Sequence, residues 1–277
     1  MHGADELRGL PRRDRAVVMT MGALHDGHAE LVREARRLVG DAGDVVITVF
    51  VNPTQFGAGE DFDAYPRTLE ADVLVASQAG ADVVFAPSAV EVYGPARGFR
   101  PDSVTIDPGP LGDILEGASR PGHFRGVLTV VNKLMSLTQP RLALFGEKDY
   151  QQLTLIRRMA ADLSLPVDVI GVPTVREPDG LAMSSRNRYL SAHEREIAAT
   201  IPRALDAAEA AAVDGPRAAE AAGRAVIASA PEVTLDYLVA TDVDLGPAPE
   251  QGSGRLLVAA TVGTTRLLDN RSARMGA

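Results

Sequence analysis

The sequence predicts an α/β protein in which a doubly wound parallel sheet is followed by a smaller C-terminal α+β domain. Through the first two-thirds of the chain, short apolar runs alternate with helical stretches. The run at 45–51 is almost continuously apolar, which is typical of a parallel strand covered on both faces. Strands that alternate with helices in this way favour a doubly wound sheet. The alternation ends near Val172, so we expect one domain over 1–173 and a second over 174–277.

The first domain is expected to contain the strands and helices of the parallel sheet. Strands are predicted at 17–21, 44–51, 82–86, 103–106, 141–145 and 167–171. Helices are predicted at 28–39, 67–79, 111–116, 126–137 and 150–163. Because such sheets bind ligands at the carboxyl ends of their strands, polar residues that directly follow a strand are the first candidates for a site. The segments 21–28, 52–55 and 146–149 meet that condition.

The second domain has a different pattern. It begins with a polar loop that includes Met183-Ser184-Ser185-Arg186, and a helix follows whose capping box pairs Ser191 with Glu194. The alanine-rich stretch 204–230, broken at Gly215-Pro216, predicts two further helices. Strand-like runs then follow at 233–240, 255–261 and 265–268. This order indicates a small α+β domain.

The composition limits the possible functions. With 277 residues, 45% of them hydrophobic and 23% charged, the chain has the composition of an ordinary soluble globular protein. No apolar run approaches the roughly eighteen residues of a membrane span, and the polar segment 1–15 is not expected to be a signal peptide. A net charge of −9 argues against a nucleic-acid partner. The absence of cysteine excludes disulfides and thiolate chemistry, and it fits a cytoplasmic enzyme.

The most informative motif is His25-Asp26-Gly27-His28, between the first predicted strand and the first predicted helix. Histidines at i and i+3 share a helix face, here beside the backbone N–H groups and the positive dipole end of the first turn, which favours phosphate binding. The sequence has neither a Walker-type motif nor Gly-x-Gly-x-x-Gly, so this pair is the best candidate for a nucleotide phosphate site. A polar surface turn is the plain alternative. Zinc is disfavoured, because metalloprotease helices space their histidine ligands at i, i+4.

Cationic residues in two further segments suit a polyphosphate. Lys148 lies in the turn Gly146-Glu147-Lys148-Asp149, where glycine permits close approach of a ligand and the Asp149 carboxylate can accept hydrogen bonds from ribose hydroxyls. Ser184, Ser185 and Arg186 provide two hydroxyls and a guanidinium, which pairs bidentately with phosphate oxygens. A solvated surface lysine and a merely polar loop are the corresponding alternatives.

Neutral amides and a second basic loop are suited to a small acidic substrate. Asn52, Gln55 and Gln152 can orient hydroxyls and carboxylates, and Arg120 and His123 can meet a carboxylate. No Ser–His–Asp or Cys–His arrangement suggests itself. Phosphate-binding groups together with such orienting groups permit adenylyl transfer, in which a carboxylate attacks the α-phosphate of ATP.

Taken together and in order, these motifs resemble those of the pantoate–β-alanine ligase family. They are the segments 21–28, 50–56, 115–117, 120–124, 145–152 and 180–187, followed by Leu267-Leu268-Asp269-Asn270. The family belongs to the nucleotidylyltransferase-like Rossmann superfamily, whose members share the His-x-Gly-His signature and a mobile loop akin to 183–186. The resemblance covers almost the whole chain.

The resemblance implies two half-reactions. Pantoate and ATP would give pantoyl adenylate and pyrophosphate, and β-alanine would then attack the adenylate to give pantothenate and AMP. Mg²⁺ would accompany ATP. The protein would be a homodimer in the cytoplasm, with small-molecule substrates as its partners.

The resemblance also implies roles for individual residues. The catalytic residues would be His28, His25, Lys148 and Arg186, with His28 as the proton donor. The ATP-binding residues would be Met21, Gly22, His25, His28, Gly146, Glu147, Lys148, Asp149, Val175, Met183, Ser184, Ser185 and Arg186. Of these, Gly146 and Asp149 would hold the ribose, and Val175 and Met183 would lie near adenine. Gln55 and Gln152 would bind pantoate, with Asn52, Arg120 and His123 as further substrate-binding residues.

The sequence departs from the family pattern at three places. Met19 replaces a proline beside the pantoate pocket. Ala71 occupies one of two adjacent acidic positions, which leaves Asp72 as the candidate contact to the metal. The segment before the first strand is shorter than usual, so we expect an edge element to be missing.

Three functions therefore stay under consideration, and an active ligase is the first. A nucleotidylyltransferase acting on a phosphate ester would form a dinucleotide and release no AMP. The neutral Gln55 and Gln152 speak against it, since a phosphorylated acceptor requires more cations. A non-catalytic nucleotide-binding homologue, permitted by Met19 and Ala71, would bind ATP without releasing pyrophosphate.

Overall fold

The contacts of the chain divide it into two units in the computed structural model, which describes residues 1–11, 13–57, 62–100 and 102–276. The first unit comprises Met1–Gly146 and Gln151–Val172, and the second comprises Glu147–Tyr150 and Pro173–Ala277. The predicted α/β fold class is confirmed, because the first unit holds a parallel sheet and the second a small antiparallel one. The assignment of separate domains over 1–173 and 174–277 stays a prediction.

A five-stranded parallel sheet forms the core of the first unit, in the order β3-β2-β1-β4-β5. Its strands are β1 Arg15–Thr20, β2 Asp44–Val49, β3 Val83–Phe85, β4 Leu142–Gly146 and β5 Asp168–Val172. Because β1 lies in the middle, the chain extends the sheet first through β2 and β3 and then in the opposite direction through β4 and β5. The order reverses between β1 and β4, and the carboxyl ends of these neighbours form the switch point at which such sheets bind ligands.

Helices accompany the strands of the first unit. They are α1 Ala4–Arg8, α2 Asp26–Val39, α3 Leu69–Ala79, α4 Ala89–Tyr93, α5 Glu116–Ser119, α6 His123–Thr138 and α7 Tyr150–Asp162, whose first residue belongs to the second unit. In α2, the spacing of Ala29, Val32 and Ala35 places them on one face, and they share a buried cluster with Val18 and Ile47 of the strands.

Two elements predicted from the sequence are wrong. Residues 103–106 form no strand, although polar and apolar side chains alternate there. Val104 is 95% exposed, and the Ile106 N–H donates to Thr129 Oγ1 of α6 instead of a neighbouring strand. The helix predicted at 111–116 is a 3₁₀ turn, Pro110–Asp113, followed by the short α5. Leu115 separates them with a positive φ of 50°, which a continuous α-helix does not admit.

The second unit is built on the antiparallel sheet β6-β7-β8. Its elements are α8 Ala192–Ala198, α9 Thr200–Ala211, α10 Pro216–Ala228, β6 Val233–Asp242, β7 Gly252–Val262 and β8 Thr265–Met275. Small residues let α9 and α10 pack closely, since a Cβ on Gly223 would lie 3.1 Å from the Ala204 carbonyl oxygen and 3.2 Å from Ala208 Cβ. The predicted capping box is confirmed, because Ser191 Oγ accepts from the Glu194 N–H and the Glu194 carboxylate accepts from the Ser191 N–H.

The first residues lie along the exposed edge of the parallel sheet. The N-terminal ammonium of Met1 donates to the Val84 carbonyl of β3 at 3.0 Å, and the Met1 carbonyl accepts from the Ala86 N–H at 2.9 Å. Within the described part of the chain, no helix combines the length and apolar character that crossing a bilayer requires.

Candidate active site

A tight turn joins β1 to α2 and is fixed by one buried carboxylate. Gly22 and Ala23 have positive φ angles of 85° and 52°. Asp72 of α3, 2% exposed, accepts hydrogen bonds from the N–H groups of Ala23 (3.2 Å) and Leu24 (2.8 Å) and from Thr68 Oγ1 (3.2 Å). A Cβ on Gly22 would lie 2.9 Å from Asp72 Oδ2, so the position requires glycine. Asp72 therefore holds the backbone directly before the histidine motif.

The two histidines form a reciprocal cap at the start of α2. His25 is the N-cap residue, and its Nδ1 accepts from the Gly27 N–H at 3.2 Å. His28 Nδ1 accepts from the His25 N–H at 3.3 Å. The two ring centroids lie 4.0 Å apart. The helix thus begins at Asp26, earlier than predicted, and His25 precedes it.

These capping bonds assign the tautomer of each ring. A ring nitrogen that accepts an N–H hydrogen bond carries no proton, so each neutral imidazole holds its proton on Nε2. His25 and His28 therefore have the same chemical character, with Nε2–H as the donor on both rings. Two such donors beside the positive end of a helix suit an anionic ligand such as phosphate.

An amide pair follows β2 and lies next to Met21. Asn52 is buried, 1% exposed, and its Nδ2 donates to Gln55 Oε1 at 3.0 Å. With its oxygen so engaged, Gln55 directs Nε2 to Met21 Sδ at 3.0 Å. Asn52 Oδ1 accepts from Tyr93 Oη at 2.7 Å and from Thr54 Oγ1 at 3.0 Å. Burial raises the pKa of Tyr93 to about 12, so the hydroxyl stays a donor at physiological pH.

The basic loop before α6 binds the backbone of the same segment. His123 Nδ1 lies 2.8 Å from the Gln55 carbonyl oxygen, so that nitrogen carries a proton and donates. Arg120 Nη1 lies 3.1 Å from His123 Nε2, and Arg120 Nη2 donates to the same carbonyl at 3.4 Å. The structure therefore places both side chains against the Gln55 backbone, and direct contact with a substrate stays a prediction.

Adjacent glutamines at the start of α7 differ in their surroundings. Gln151 is 3% exposed, its Oε1 accepts from the Glu116 N–H at 3.0 Å, and its Nε2 donates to the carbonyls of Leu111 and Ile114, both at 2.8 Å. Gln152 is half-buried. Gln151 holds the loop before α5, a role that sequence reasoning missed. The predicted role of Gln152 in substrate binding stays a prediction.

In the second unit, Lys148 lies in the 3₁₀ turn Glu147–Asp149. Its Nζ is 3.5 Å from Asp149 Oδ1, and its side chain is 19% exposed. The turn is held by Asn270 of β8 and Arg255 of β7, two residues that had no role in the sequence analysis. Asn270 lies in the segment 267–270, which contributed to the family resemblance. That resemblance was the one sequence signal that could have pointed to Asn270.

The polar loop of the second unit is also ordered by hydrogen bonds. Ser184 is the N-cap of the 3₁₀ helix Ser185–Tyr189, and its Oγ accepts from the Arg186 N–H at 3.2 Å. The Met183 N–H donates to the Val175 carbonyl at 2.9 Å, so the two residues predicted near adenine lie side by side. Asn187, 6% exposed, donates to the Ala182 carbonyl at 3.1 Å and closes the loop.

One small cavity brings predicted residues of the second unit together. Its volume is about 20 Å³, enough for one water molecule. Lys148, Ser184 and Arg186 line it, together with Asn187 and Asp269. Residues of two predicted phosphate-binding segments, more than thirty positions apart in sequence, therefore meet in space.

The described residues contain no group of three or more histidine, aspartate or glutamate side chains arranged to hold a metal ion. Asp72, the predicted metal contact, uses its carboxylate on the turn after β1. Met19 lies within β1 opposite Thr48 of β2, so the residue that replaces the family's proline takes part in a regular strand.

Comparison with known proteins assigns this chain to a family. Residues 4–272 match the family model described as pantoate–β-alanine ligase. The chain belongs to the pantoate–β-alanine ligase family. It is therefore an enzyme of the ligase class, and the resemblance predicted from its motifs is confirmed.

Relatives and solved structures of the family are similar to this chain in sequence and in fold. It is 54% identical to pantothenate synthetase from Saccharopolyspora erythraea, covering 99% of this chain and 91% of that one. It is 56% identical to pantothenate synthetase from Mycolicibacterium paratuberculosis, with coverages of 95% and 84%. The crystal structure of pantothenate synthetase from Thermus thermophilus matches with a TM-score of 0.90 and 47% identity over 98% of both chains.

A further solved structure in the family contains ligands. The pantoate–β-alanine ligase from Francisella tularensis, complexed with βγ-ATP and β-alanine, matches with a TM-score of 0.79 and 32% identity. The match covers 98% of this chain and 96% of that one.

Proposed function

We propose that this enzyme condenses pantoate with β-alanine at the expense of ATP, through a pantoyl-adenylate intermediate, and releases AMP and pyrophosphate. The observation that carries the proposal is the histidine pair, since His25 and His28 both have Nδ1 occupied by a backbone N–H and their proton on Nε2. Family membership supplies the substrates, and the Francisella tularensis complex supports ATP as the nucleotide.

In the first half-reaction, a carboxylate oxygen of pantoate forms a bond to the α-phosphorus of ATP, and the bond to the pyrophosphate oxygen breaks. Negative charge develops on the phosphate oxygens in the transition state. Nε2–H groups of His25 and His28 would stabilise that charge, with His28 donating a hydrogen bond to the phosphate group. No covalent bond to the protein is needed, so positioning and charge stabilisation provide the catalysis.

In the second half-reaction, the amine of β-alanine attacks the acyl carbon of the adenylate. The bond between that carbon and the AMP oxygen breaks, and the nitrogen loses a proton as the amide forms. We propose that Gln55 and Gln152 hold pantoate and its adenylate during both steps, with Met21 beside them. Asn52 fixes the amide of Gln55, so that Nε2 is the donor available on that side chain.

The second unit would contribute the groups that neutralise the triphosphate. Lys148, Ser184 and Arg186 lie close together around one small cavity, and this proximity supports a shared role in phosphate binding; Ser185 belongs to the same loop. We also propose that Gly146 and Asp149 bind the ribose, with Glu147 in the same turn, and that Val175 and Met183 lie near adenine. The backbone of Gly22 would lie beside the ligand, while the space that a Cβ would take there is filled by Asp72 and Val49.

We propose that Mg²⁺ arrives as its complex with ATP, held mainly by phosphate and water oxygens. Asp72 does not fit a direct ligand, because its two oxygens accept three hydrogen bonds from the turn and from Thr68. The homodimer and the cytoplasmic location also remain proposals that rest on the family resemblance.

The test follows the two products separately. Purified protein is incubated with ATP, Mg²⁺ and pantoate, and pyrophosphate and AMP are measured with and without β-alanine. We expect about one pyrophosphate per site until β-alanine is added, and steady release of AMP afterwards. ATP binding without pyrophosphate would support the non-catalytic alternative, and formation of a dinucleotide would support transfer to a phosphate ester.

A further inference from the structure

We propose that Asn270, supported by Arg255, is a positioning residue that sets the place of Lys148. This inference rests on the proposed function, in which Lys148 binds the phosphates of ATP. Both residues lie in the antiparallel sheet of the second unit, Asn270 in β8 and Arg255 in β7. They contact the turn that carries Lys148 and have no part in the reaction as described above.

The amide of Asn270 is buried, 3% exposed, and both of its polar atoms are directed to the turn or to Arg255. Its Nδ2 donates to the carbonyl of Glu147 at 2.9 Å and to the carbonyl of Lys148 at 2.7 Å. An amide nitrogen has two protons, so both are used on consecutive peptide groups. The backbone on either side of the Lys148 α-carbon is thereby tied to a strand of the sheet.

Arg255 fixes the orientation of that amide. Its Nε donates to Asn270 Oδ1 at 2.7 Å, which leaves Nδ2 facing the two carbonyls. A reversed amide would set its NH₂ group against the guanidinium and its oxygen against two carbonyl oxygens, so only the observed orientation satisfies every group. The side chain of Arg255 is itself 9% exposed.

Arg255 also holds both sequence neighbours of the Lys148–Asp149 pair. Its Nη2 lies 3.0 Å from Glu147 Oε2, and its guanidinium stacks 3.9 Å from the centre of the Tyr150 ring. Tyr150 is fixed in turn, because its hydroxyl donates to the Val243 carbonyl at 2.9 Å. The turn is therefore anchored before and after Lys148 by one buried guanidinium.

These contacts matter because a lysine ammonium sits on a flexible four-carbon stem. If the α-carbon moved as well, Nζ would spread over a larger volume and would meet a phosphate oxygen less often. A misplacement of about 1 Å can cost roughly a hundredfold in rate. Anchoring the Lys148 backbone keeps this residue at the cavity that it lines together with Ser184 and Arg186.

The experiment is a double-mutant cycle between Asn270 and Lys148, read as kcat/KM for ATP in pyrophosphate release. Two variants are compared: Asn270→Asp, which keeps the size and an acceptor for Arg255, and Asn270→Leu, which is uncharged. We expect each to lower kcat/KM by about ten- to a hundredfold when Lys148 is present. In the Lys148→Ala background, we expect less than about a twofold further loss, since the group being positioned is gone.

Arg271→Ala is the matched control. Arg271 is the next residue in β8, and its guanidinium pairs with Asp206 and Glu209 of α9 instead of the Lys148 turn. We expect it to lower the unfolding temperature while leaving kcat/KM for ATP within about twofold. A loss of activity like that of the Asn270 variants would mean that general weakening of the sheet explains them.

Other outcomes would overturn the inference. Equal losses with Lys148 present and in the Lys148→Ala background would show that Asn270 acts on the fold as a whole. If only Asn270→Asp, and not Asn270→Leu, loses its effect in the Lys148→Ala background, the new negative charge acts directly on Lys148. Full activity of Lys148→Ala would remove the phosphate role of Lys148, while loss in that variant without coupling would defeat only the positioning role of Asn270.

If both Asn270 variants fail to fold, a variant of Arg255 can be used to test the inference instead. Arg255→Gln leaves the Asn270 amide in place but removes the stacking on Tyr150 and the ion pair with Glu147. We expect a smaller fall in kcat/KM for ATP that again disappears in the Lys148→Ala background. Additive losses in that cycle would contradict the inference.

Discussion

At the scale of single residues, backbone hydrogen bonds determine which nitrogen of each histidine in the proposed active site can act on a ligand. His25 Nδ1 and His28 Nδ1 both cap the first turn of α2. Each ring therefore carries its proton on Nε2, and a donor of that kind suits the charge that develops on phosphate. The cap and the proposed chemistry use opposite sides of the same ring.

Replacing His28 by alanine tests this account. We expect turnover at saturating ATP to fall by about 10²- to 10³-fold, the usual loss for one charge-stabilising donor. The matched control is His193→Ala, because the His193 side chain is 73% exposed and pairs with Glu232, whose side chain is 57% exposed. Unchanged turnover of the His28 variant, with a native circular dichroism spectrum, would contradict the role.

A substitution at Gly22 tests the turn before the histidines. Gly22→Ala places a methyl group 2.9 Å from Asp72 Oδ2 and 3.0 Å from Val49 Cγ1 at a φ of 85°. We expect a loss of roughly 2–4 kcal/mol in the free energy of unfolding, measured with urea. Gly80→Ala shares the positive φ, at 101°, but meets nothing closer than 3.5 Å, and should lose only about 1 kcal/mol. Equal losses would mean that the contact with Asp72 is unimportant.

Sequence reasoning found the residues that lie in local motifs and missed those that hold them in place. His25, Lys148 and Ser184 each follow a strand or begin a turn, and that placement is visible in the sequence. Asp72 binds a turn 48 residues before it, and Asn270 binds one 122 residues before it. No local pattern encodes a partner at such a distance.

At the scale of secondary structure elements, α3 supports the turn after β1 through Asp72. Asp72→Ala leaves the buried N–H group of Ala23 and the partly buried N–H group of Leu24 without their acceptor, which should lower the free energy of unfolding by about 2–4 kcal/mol. We expect the same loss in EDTA and in excess Mg²⁺, because the carboxylate serves the turn. Glu70→Ala, an exposed residue of the same helix, is the control. A loss of stability seen only in the presence of Mg²⁺ would indicate that Asp72 binds the metal ion.

The capping box of α8 predicts a local pH dependence. Hydrogen bonds from Ser191 hold the pKa of Glu194 below its ordinary value of 4.5. A lowered carboxyl pKa contributes stability above the unfolded-state value, and that stability is lost as the pH falls through the folded-state value. The difference in unfolding free energy between the wild type and Glu194→Gln should therefore be constant near neutral pH and shrink below about pH 4.5. Glu196→Gln, exposed on the same helix, should show no such change.

Predictions of elements succeeded where a periodic pattern coincided with a packing partner. The buried run of β2 and the stripe of α2 both meet the sheet core, and both are confirmed. Residues 103–106 have the alternation of a strand but no strand to pair with, so alternation alone gave a wrong prediction. Helix α2 begins earlier than predicted because His25 is its cap.

At the scale of the whole chain, an acidic protein with a net charge of −9 is proposed to act on anionic substrates. The groups proposed to bind them are therefore local ones: the Nε2–H donors of the histidines at the N-terminus of α2 in the first unit, and the cations Lys148 and Arg186 in the second. The family match over residues 4–272 includes every one of these positions. The fold class and the motifs were predictable from the sequence, whereas the anchoring of each cation required the structure.

The most direct test of the central claim uses pantoate labelled with ¹⁸O in both carboxylate oxygens. In the adenylate mechanism, one carboxylate oxygen bonds to the α-phosphorus and leaves with AMP when β-alanine attacks. We therefore expect AMP to carry one ¹⁸O atom and pantothenate to retain the other, as measured by mass spectrometry. Unlabelled AMP formed together with pantothenate would show that the carboxylate never bonds to the α-phosphorus, and it would contradict the account.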